Sequence, residues 1–493
     1  MKLHPTDVHF HPNSARVLVR PFIPEDPAKV ANTMRRILAL DEAAAAQQLE
    51  VAIADFAGRH SDVRALWRNH FRRVEPIARE VAATVGEDAP VIFSDVRQHL
   101  IGAYFSGEYA LESAALFNPS MVAHPDQSGL APGEMRFILS LRATGEGHIS
   151  SIEFRTGVIH ADHAITLDEV SPFVTEPALV PDPTYLKAIF LEKLREMGFE
   201  NDFTSVVINT LPEAFSLSDL ERAIGEATDG ETELPYDVAR TMDCIHWLAE
   251  SNYQIHFRPS LPISERILFP ISSNESNGIE DARFVRFVND DGSAVYYATY
   301  TAYNGHTILP QLLRTEDFGD FQILTLNGRS VQNKGMALFP RRINGCYAMI
   351  SRQDDENILI MFSEHLHFWN DPQVLVTPRE PWELMKIGNC GSPIETEAGW
   401  LLLTHGVGSM RKYCIGAVLL DRDDPTRVIG RLREPIVMPQ GNEREGYVPN
   451  VVYSCGGLIH GTRLILPYGM SDSAATIVTV ELDELFEALK RGQ

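Results

Sequence analysis

The feature that most restricts the fold of this chain is a repeated β pattern. Each copy has a polar start, an apolar strand, a turn and a second aromatic or aliphatic strand. The five copies begin near Phe117, Gly278, Asn333, Lys386 and Tyr447. The later four are about 50 to 65 residues apart, a spacing typical of the four-stranded blades of a propeller. The pattern therefore predicts an all-β core that folds as a five-bladed β-propeller.

Helical sequence precedes this β pattern and interrupts it once. The predicted divisions are an N-terminal strand and helical hairpin at 1–92, a first blade at 93–169, a helical insertion at 170–258 and the remaining blades at 259–493. Asp26 before Pro27 predicts the start of the first helix, because aspartate caps helices and proline suits the first helical position.

One face of the second N-terminal helix is apolar. Its residues, spaced as on a helix, are Val63, Leu66, Trp67, Phe71 and Val74, and Pro76 predicts a kink beyond them. Such a face has to be buried, either against the rest of the chain or against another subunit. We predict a homo-oligomer that forms through these helices; the alternative is that the face packs on the chain's own blades.

Composition and charge exclude several classes of partner and location. The net charge of −24 argues against nucleic acid and anionic membranes as partners, since both require a broad basic surface. Five scattered cysteines without a Cys-x-x-Cys pair suggest neither a zinc site nor a disulfide framework. The N-terminus lacks the apolar segment of a signal peptide, so we expect a cytoplasmic protein.

The polar starts of the repeats predict one shared site. In a propeller the first strand of each blade lines the central channel, so these residues should converge at one end of the axis. They are Asn118, Ser120, Glu280, Asp281, Asn333, Lys334, Lys386, Asn389 and Asn450. Lysines facing carboxylates in a concave mouth predict a binding site for a polar, partly anionic ligand. The alternative is that these side chains hydrogen-bond to one another and only fill the channel.

Four stretches resemble glycoside hydrolase family 130, which contains β-mannoside phosphorylases and related mannosidases. These stretches are 278–283, 333–340, 386–407 and 468–472. The resemblance covers about residues 115–160 and 265–485, and it also implies a five-bladed propeller. One departure is Ala282, which stands where the family usually has a proline after Glu-Asp.

The resemblance implies roles for individual residues. Asp281 matches the general acid, and Arg352 and Lys386 match cations that bind phosphate, while Lys334 stands where an arginine is expected. The implied sugar-binding residues are Asn118, Ser120, Glu280, Asn333, His405 and Asp472. Inorganic phosphate would be a co-substrate, and neither a metal nor another cofactor is implied.

The chemistry of these residue types favours phosphate over water as the nucleophile. An inverting hydrolase needs an acid and a base, whereas a phosphorylase needs an acid and cations that hold phosphate. Neighbours in a strand point apart, so Glu280 should orient the sugar or Asp281 rather than form an acid–base pair with it. As the acid, Asp281 should stay protonated near neutral pH.

The sequence therefore predicts a glycoside phosphorylase, an enzyme with a glycosyltransferase-type reaction. It would cleave a β-mannoside with phosphate and give α-mannose 1-phosphate with inversion. One alternative is an inverting β-mannosidase that uses water. A second alternative is a non-catalytic propeller that binds glycans.

Overall fold

The computed structural model describes residues 1–85, 92–228 and 234–492. Two compact units make up the chain. The sheet unit comprises Met1–Pro12, Ala114–Val170 and Glu176–Gln493, and the helical unit comprises Asn13–Ser113 and Ser171–Thr175. Residues 86–91 of the predicted N-terminal segment and residues 229–233 of the predicted insertion lie outside the described residues.

The described part of the helical unit contains four helices and a strand pair. The helices are α1 (Pro27–Leu38), α2 (Glu42–Phe56), α3 (Val63–Val85) and α4 (Asp95–Tyr104), and strand Val17–Pro21 pairs with Ser106–Ala110. The side chain of Asp26 accepts a hydrogen bond from the Ala28 amide and so caps α1, and Asp41 caps α2 in the same way. The prediction of a two-helix hairpin at 1–92 was wrong, because Asp41 begins a separate helix within the first predicted one. A fourth helix begins after Ser94, beyond that predicted segment.

The apolar face of α3 is buried inside the helical unit. Val63, Trp67, Phe71 and Val74 are at most 4% exposed and pack with apolar residues of α1, α2 and α4. The fifth predicted residue of this face, Leu66, is only partly buried. Pro76 lies within α3, which continues past it to Val85. Since its own helices cover this face, the reason for predicting self-association through it is lost. Residues 95–104, predicted as part of the first blade, are helical and belong to this unit.

The insertion forms a second group of helices, within the sheet unit. Its helices are α5 (Lys187–Glu196), α6 (Asp202–Thr210), α7 (Leu217–Ala227) and α8 (Tyr236–Glu250), and strand Thr184–Leu186 pairs with Ala214–Ser216. These elements share one apolar core. After α8 the chain enters strand Tyr253–His256, which pairs with Ala178–Leu179 and with the outer strand of a large sheet.

The described remainder of the sheet unit contains five sets of four antiparallel strands, here named meanders 1 to 5, of which meanders 1 and 2 belong to one eleven-stranded sheet. Meander 1 contains Ala115–Ala123, Met135–Thr144, Ser150–Ile159 and Ile165–Leu167. Meander 2 contains Gly278–Val288, Ala294–Tyr303, Ile308–Thr315 and Asp320–Thr325. Meander 3 contains Ala337–Leu338, Tyr347–Ser351, Ile358–Ser363 and Gln373–Val376.

Meanders 4 and 5 complete the set. Meander 4 contains Lys386–Asn389, Gly399–Val407, Tyr413–Leu420 and Val428–Arg431. Meander 5 contains Val452–Tyr453, Arg463–Met470, Ala474–Glu481 and, from the other end of the chain, Leu3–Phe10. The short strands Ile267–Leu268, Ile394–Thr396 and Leu458–His460 extend meanders 1, 4 and 5, and α9 (Leu482–Arg491) follows. None of the described helices is long and apolar enough to cross a membrane.

Backbone hydrogen bonds and bridges connect neighbouring meanders. Gly278 pairs with Ser150 between meanders 1 and 2. The amides of Val288, Ile387 and Tyr413 donate to the carbonyls of Pro340, Glu356 and Asn450, which connects meanders 2 to 5 in turn. The Cys455 amide of meander 5 donates to the Pro119 carbonyl of meander 1 at 2.8 Å. Residues in these connections lie beside the polar positions that the sequence singled out.

Candidate active site

Of the fourteen described non-glycine residues with a left-handed backbone, five are polar residues at the predicted site. Asn118, Asp281, Asn333, Asn450 and Asp472 have φ angles of 49°, 55°, 64°, 61° and 50°. This conformation is uncommon outside glycine, although asparagine and aspartate tolerate it best, and it is concentrated at functional sites. All five are residues that the sequence had already indicated as site candidates.

Two β-bulges set the direction of the key side chains. One lies between Phe117 and Ser120 in meander 1, and the other lies between Glu280 and Arg283 in meander 2. In each case the first strand has one residue more than its partner strand, so the strict alternation of side chains is interrupted. Asn118 and Asp281 fall within these two bulges.

The carboxylates of Glu280 and Asp281 share one arginine. Arg142 donates from Nη2 to Glu280 Oε1 at 2.8 Å and from Nη1 to Asp281 Oδ1 at 3.3 Å. Asn118 Nδ2 also donates to Asp281 Oδ1 at 2.8 Å, and Lys334 Nζ donates to Glu280 Oε2 at 2.5 Å. The prediction that Glu280 and Asp281 point apart was wrong, because the bulge lets both reach Arg142.

Buried groups behind this cluster hold the backbone of Asp281. Arg283, 2% exposed, donates from Nη1 to the Asp281 carbonyl at 2.9 Å and from Nη2 to the Tyr453 hydroxyl at 2.7 Å. Ser120 is 1% exposed, and its hydroxyl accepts from the Phe284 amide at 3.0 Å. Ser120 therefore links meander 1 to meander 2, so its direct contribution in this structure is to the strand rather than to an open surface.

The two aspartates have pKa values displaced in opposite directions. Burial alone would raise the pKa of Asp281, but the charges of Arg142, Arg283 and Lys334 outweigh burial and lower it to about 2. Burial, reinforced by the charge of Asp281, raises the pKa of Asp472 to about 6. Without ligand, Asp281 is thus ionised at neutral pH, contrary to the expectation that it stays protonated, and Asp472 titrates near neutrality.

The predicted phosphate-binding cations lie beside this cluster. Arg352 Nε donates to the carbonyl of Lys334 at 3.1 Å. Lys386 Nζ donates to both carboxylate oxygens of Asp355, at 3.0 and 3.2 Å, and Arg352 Nη2 lies 3.9 Å from the same carboxylate. Asp355 therefore neutralises part of the positive charge of Lys386 and Arg352 in the ligand-free chain.

His405 completes the group as a neutral imidazole. Burial and the charge of Arg352 lower the pKa of His405 well below its usual range. Its Nε2 lies 3.2 Å from Arg352 Nη1, and its Nδ1 lies 3.3 Å from the Asn389 carbonyl. A neutral ring that donates from Nδ1 to that carbonyl accepts from Arg352 at Nε2, which orients the guanidinium.

The structure groups the predicted residues as follows. The pairs Asn118–Asp281 and Lys334–Glu280 form one hydrogen-bonded group through Arg142. Asn333, Arg352 and His405 form a second group, joined to the first through Lys334. Lys386 joins through Asp355. Asp472 is connected by its electrostatic interaction with Asp281 and Arg142, and Ser120 by the strand contact described above.

Sequence reasoning missed four residues that shape the site, namely Arg142, Asp355, Arg283 and Tyr453. Arg142 had a signal, since it is a charged residue in the otherwise apolar stretch Leu139-Ser-Leu-Arg-Ala143. Arg283 belongs to the recognised stretch 278–283 but was given no role. Asp355 lies in a hairpin turn and Tyr453 in a two-residue strand, where local sequence does not indicate which distant residues they contact.

A sequence model of a known enzyme family matches the part of the chain that contains most of these residues. The sequence model of glycoside hydrolase family 130, described as beta-1,4-mannooligosaccharide phosphorylase, matches residues 246–491. This match contains meanders 2 to 4 and the C-terminal strands of meander 5. It also contains eight of the ten predicted site residues, all except Asn118 and Ser120.

Two curated relatives carry related descriptions. A 1,2-beta-oligomannan phosphorylase of Thermoanaerobacter sp. (strain X514) is 35% identical over 234 residues, which is 44% of this chain and 74% of that relative. A beta-1,2-mannobiose phosphorylase of Listeria innocua is 31% identical over 231 residues, 45% of this chain and 63% of that relative. A solved structure of a Listeria innocua beta-1,2-mannobiose phosphorylase with beta-1,2-mannobiose covers 77% of this chain and 92% of its own, with a TM-score of 0.45 and 22% identity.

Proposed function

The chain belongs to glycoside hydrolase family 130, and we propose that it is an inverting β-mannoside phosphorylase. A phosphate oxygen would attack the anomeric carbon, the bond from that carbon to the leaving oxygen would break, and α-mannose 1-phosphate would form. The observation that carries this proposal is the cluster in which Glu280 and Asp281 lie against Lys334, with Arg352 and Lys386 beside it. Carboxylates next to several cations suit a sugar and a phosphate dianion together.

The fold that we propose for this site is a five-bladed propeller, with meanders 1 to 5 as blades. Each meander has the four antiparallel strands of a blade. The hydrogen bond from Cys455 to Pro119 connects the last meander with the first, and strand Leu3–Phe10 completes meander 5 from the opposite end of the chain. Both contacts support ring closure, which would gather residues from all five meanders at one mouth.

Asp281 is proposed as the general acid that protonates the leaving oxygen. Its carboxyl is ionised in the ligand-free chain because Arg142, Arg283 and Lys334 lower its pKa. Phosphate bound at Lys334, Arg352 and Lys386 would offset that positive charge, and so would raise the pKa of Asp281 when both substrates are present. The proton would thus be available in the complete complex, where it is needed.

Six residues are proposed to position the mannosyl group, namely Asn118, Ser120, Glu280, Asn333, His405 and Asp472. Asn118 and Glu280 contact the same small group of charges as Asp281, so a sugar held by them lies next to the acid. Ser120 would act through the strand by fixing the bulge that carries Asn118. His405 would act by orienting Arg352.

The phosphate dependence of sugar release tests the proposal. Purified protein should convert β-1,2- and β-1,4-linked mannooligosaccharides to mannose 1-phosphate only when phosphate is present, as measured by anion-exchange chromatography of the products. Release of free mannose at the same rate without phosphate would refute the phosphorylase.

One observation favours a hydrolase as a second candidate. An inverting hydrolase needs one carboxyl that keeps its proton and one that stays ionised, and environments that separate two pKa values identify such pairs. Asp472, with a pKa of about 6, and Asp281, with a pKa of about 2, match that pattern. If this chain is a β-mannosidase, Asp472→Asn should abolish mannose release, whereas in the phosphorylase it should mainly raise KM for the mannoside.

Asp472→Asn should also stabilise the protein at neutral pH. The folded-state pKa of about 6 exceeds the ordinary value of 3.8, so the folded state binds this proton more tightly than the unfolded state does. Stability is therefore lost as pH rises from about 4 to 6, by up to about 3 kcal/mol at pH 7. Urea denaturation should show Asp472→Asn gaining on the wild type between pH 4.5 and pH 7.5. If the free energies of unfolding of Asp472→Asn and the wild type differ by the same amount at both pH values, the raised pKa of Asp472 is contradicted.

Asp355 and Lys386 should change the phosphate KM in opposite directions. Lys386→Ala removes a charged hydrogen-bond donor and should raise the phosphate KM by roughly 10- to 100-fold. Asp355→Asn removes the carboxylate that competes with phosphate for Lys386 and Arg352, and should lower the phosphate KM several-fold. Initial rates with phosphate varied at saturating mannoside measure both effects. Lys490→Ala, at an exposed position of α9, is the control, and a higher phosphate KM in Asp355→Asn would show that Asp355 instead positions Lys386.

A further inference from the structure

A cavity separate from the reacting cluster lies in the sheet unit between α5, the outer part of meander 2 and residues 364–370 after the third strand of meander 3. This open cavity has a volume of about 1010 Å³, at the upper end of the volumes of small-molecule sites. None of the ten predicted site residues is among the described residues that line it. We call it the outer cavity.

The floor of the outer cavity is a row of polar side chains across four strands. Tyr297 is paired with Arg314, Arg314 with Gln322, and Gln322 with Gln254. Directly paired residues in a sheet point to the same face, so the four side chains stand next to one another. All four line the cavity. The row presents a phenol ring, a guanidinium group and two amides, which together offer both donors and acceptors.

The facing walls add an aromatic surface and a helix. The guanidinium carbon of Arg342 lies 4.6 Å from the ring centroid of Tyr347, and Arg342 Nη2 donates to the Tyr347 hydroxyl at 3.0 Å. Helix α5 contributes Ala188, which is exposed, and the partly buried Lys193. Tyrosine rings and planar polar groups therefore line the same cavity.

The cations of the outer cavity already have partners, which argues against an anionic ligand. Each lies close to a carboxylate of the chain: Lys193 with Glu196 at 3.5 Å, Arg314 with Glu316 at 2.5 Å and Arg342 with Asp290 at 3.2 Å. Since these charges are offset, the cavity offers hydrogen bonds rather than net positive potential. A neutral ligand with many hydroxyl groups and apolar C–H faces fits the combination of amides and tyrosine rings.

We infer that the outer cavity binds a neutral oligosaccharide at a position separate from the reacting cluster. Only the choice of a mannooligosaccharide as the probe rests on the proposed function. An oligosaccharide bound in the outer cavity would stay on the protein while a second oligosaccharide reacts at the reacting cluster. The outer cavity would therefore lower KM for long oligosaccharides but not for disaccharides, because a disaccharide contacts too few of the side chains that line the cavity.

Calorimetric titration of the full chain with β-mannotriose, without phosphate, tests this inference. Gln322→Ala shortens the polar row, and Ala188→Trp fills the cavity from an exposed helix position, so the two variants perturb it by different routes. We expect a binding event that both variants abolish and that Asp281→Asn retains, while mannotriose binding at the reacting cluster persists in both cavity variants. Gln373→Ala, an exposed strand glutamine outside the cavity, is the matched control and should bind as the wild type does.

Kinetics separate failure of this inference from failure of the proposed function. Gln322→Ala should raise KM for long mannooligosaccharides at least five-fold and leave kcat/KM for a disaccharide unchanged. Phosphorolysis without any binding event that the two cavity variants abolish would overturn the outer site alone. Such a binding event in a protein without phosphorolysis would overturn the proposed function and leave the outer site standing. Binding of inorganic phosphate that Gln322→Ala abolishes would show an anion site instead, and would also overturn the inference.

Discussion

Asp281→Asn should reduce turnover of an unactivated β-mannoside by about 10²–10⁴, the range expected for loss of a general acid. Asparagine keeps the shape of the side chain and tolerates the left-handed backbone at φ 55°, but it cannot deliver the proton. A nitrophenyl mannoside should partly rescue the variant, because its phenolate leaving group needs little protonation. Steady-state rates on both substrates measure the effect.

Asp371→Asn is a matched control for this substitution. Asp371 is exposed and has a φ of 54°, so the backbone demand is the same but the position is on the surface. It should keep wild-type turnover on both substrates. If Asp281→Asn also stays near wild-type turnover on the unactivated mannoside, the acid is another residue, and Asp472 is the next carboxyl to test.

Arg142→Met should destabilise the protein by about 3 kcal/mol or more. Loss of the guanidinium leaves Glu280 and Asp281, 9% and 13% exposed, as adjacent carboxylates without their shared partner. Breaking one partner of a buried ion pair costs about 3–5 kcal/mol, and we expect the lower end because Arg142 is 18% exposed. Urea denaturation at pH 7 measures the loss, and Arg142→Lys should recover only part of it because it keeps the charge without the fork.

A second substitution shows whether the lost stability comes from the carboxylates. The double variant Arg142→Met, Glu280→Gln should lose less free energy of unfolding than the sum of the two single variants, since the amide at position 280 removes one of the unpaired charges. Arg422→Met serves as the control, because Arg422 is 53% exposed at 3.3 Å from Glu395 and surface pairs contribute about 0–1 kcal/mol. Equal losses for Arg142→Met and Arg422→Met would mean that Arg142 does not hold the two carboxylates together.

Local sequence was sufficient to locate the repeated β segments. Turns such as Asp291-Gly292 and Asn344-Gly345 between apolar runs mark hairpins through short-range preferences, and the spacing of the repeats reflects the four strands that each contains. The residues at the polar starts of the repeats were likewise visible, because asparagine, aspartate and lysine are unexpected beside apolar strands. The resemblance of 278–283 and 386–407 to glycoside hydrolase family 130 then agreed with the family to which the chain belongs.

The packing partners of the N-terminal helices could not be predicted from the sequence. Periodicity identified the apolar face of α3 correctly, but periodicity says only that a face is buried and not what covers it. The cover is α1, α2 and α4 of the same unit. The role of Leu3–Phe10 in meander 5 also depends on a partner more than 460 residues away, at Ala474–Glu481.

Residue types, strand positions and family were decided by the sequence, whereas the charge state and direction of the catalytic candidates were decided by the tertiary structure. A strand pattern alone sends Glu280 and Asp281 to opposite faces, and only the bulge against Ala294–Tyr303 brings both to Arg142. The pKa values of Asp281 and Asp472 separate because the charges of Arg142, Arg283 and Lys334 outweigh burial at Asp281, whereas burial and the charge of Asp281 prevail at Asp472. Coulomb interactions depend on separation in space and on burial, and neither quantity is contained in the order of residues along the chain.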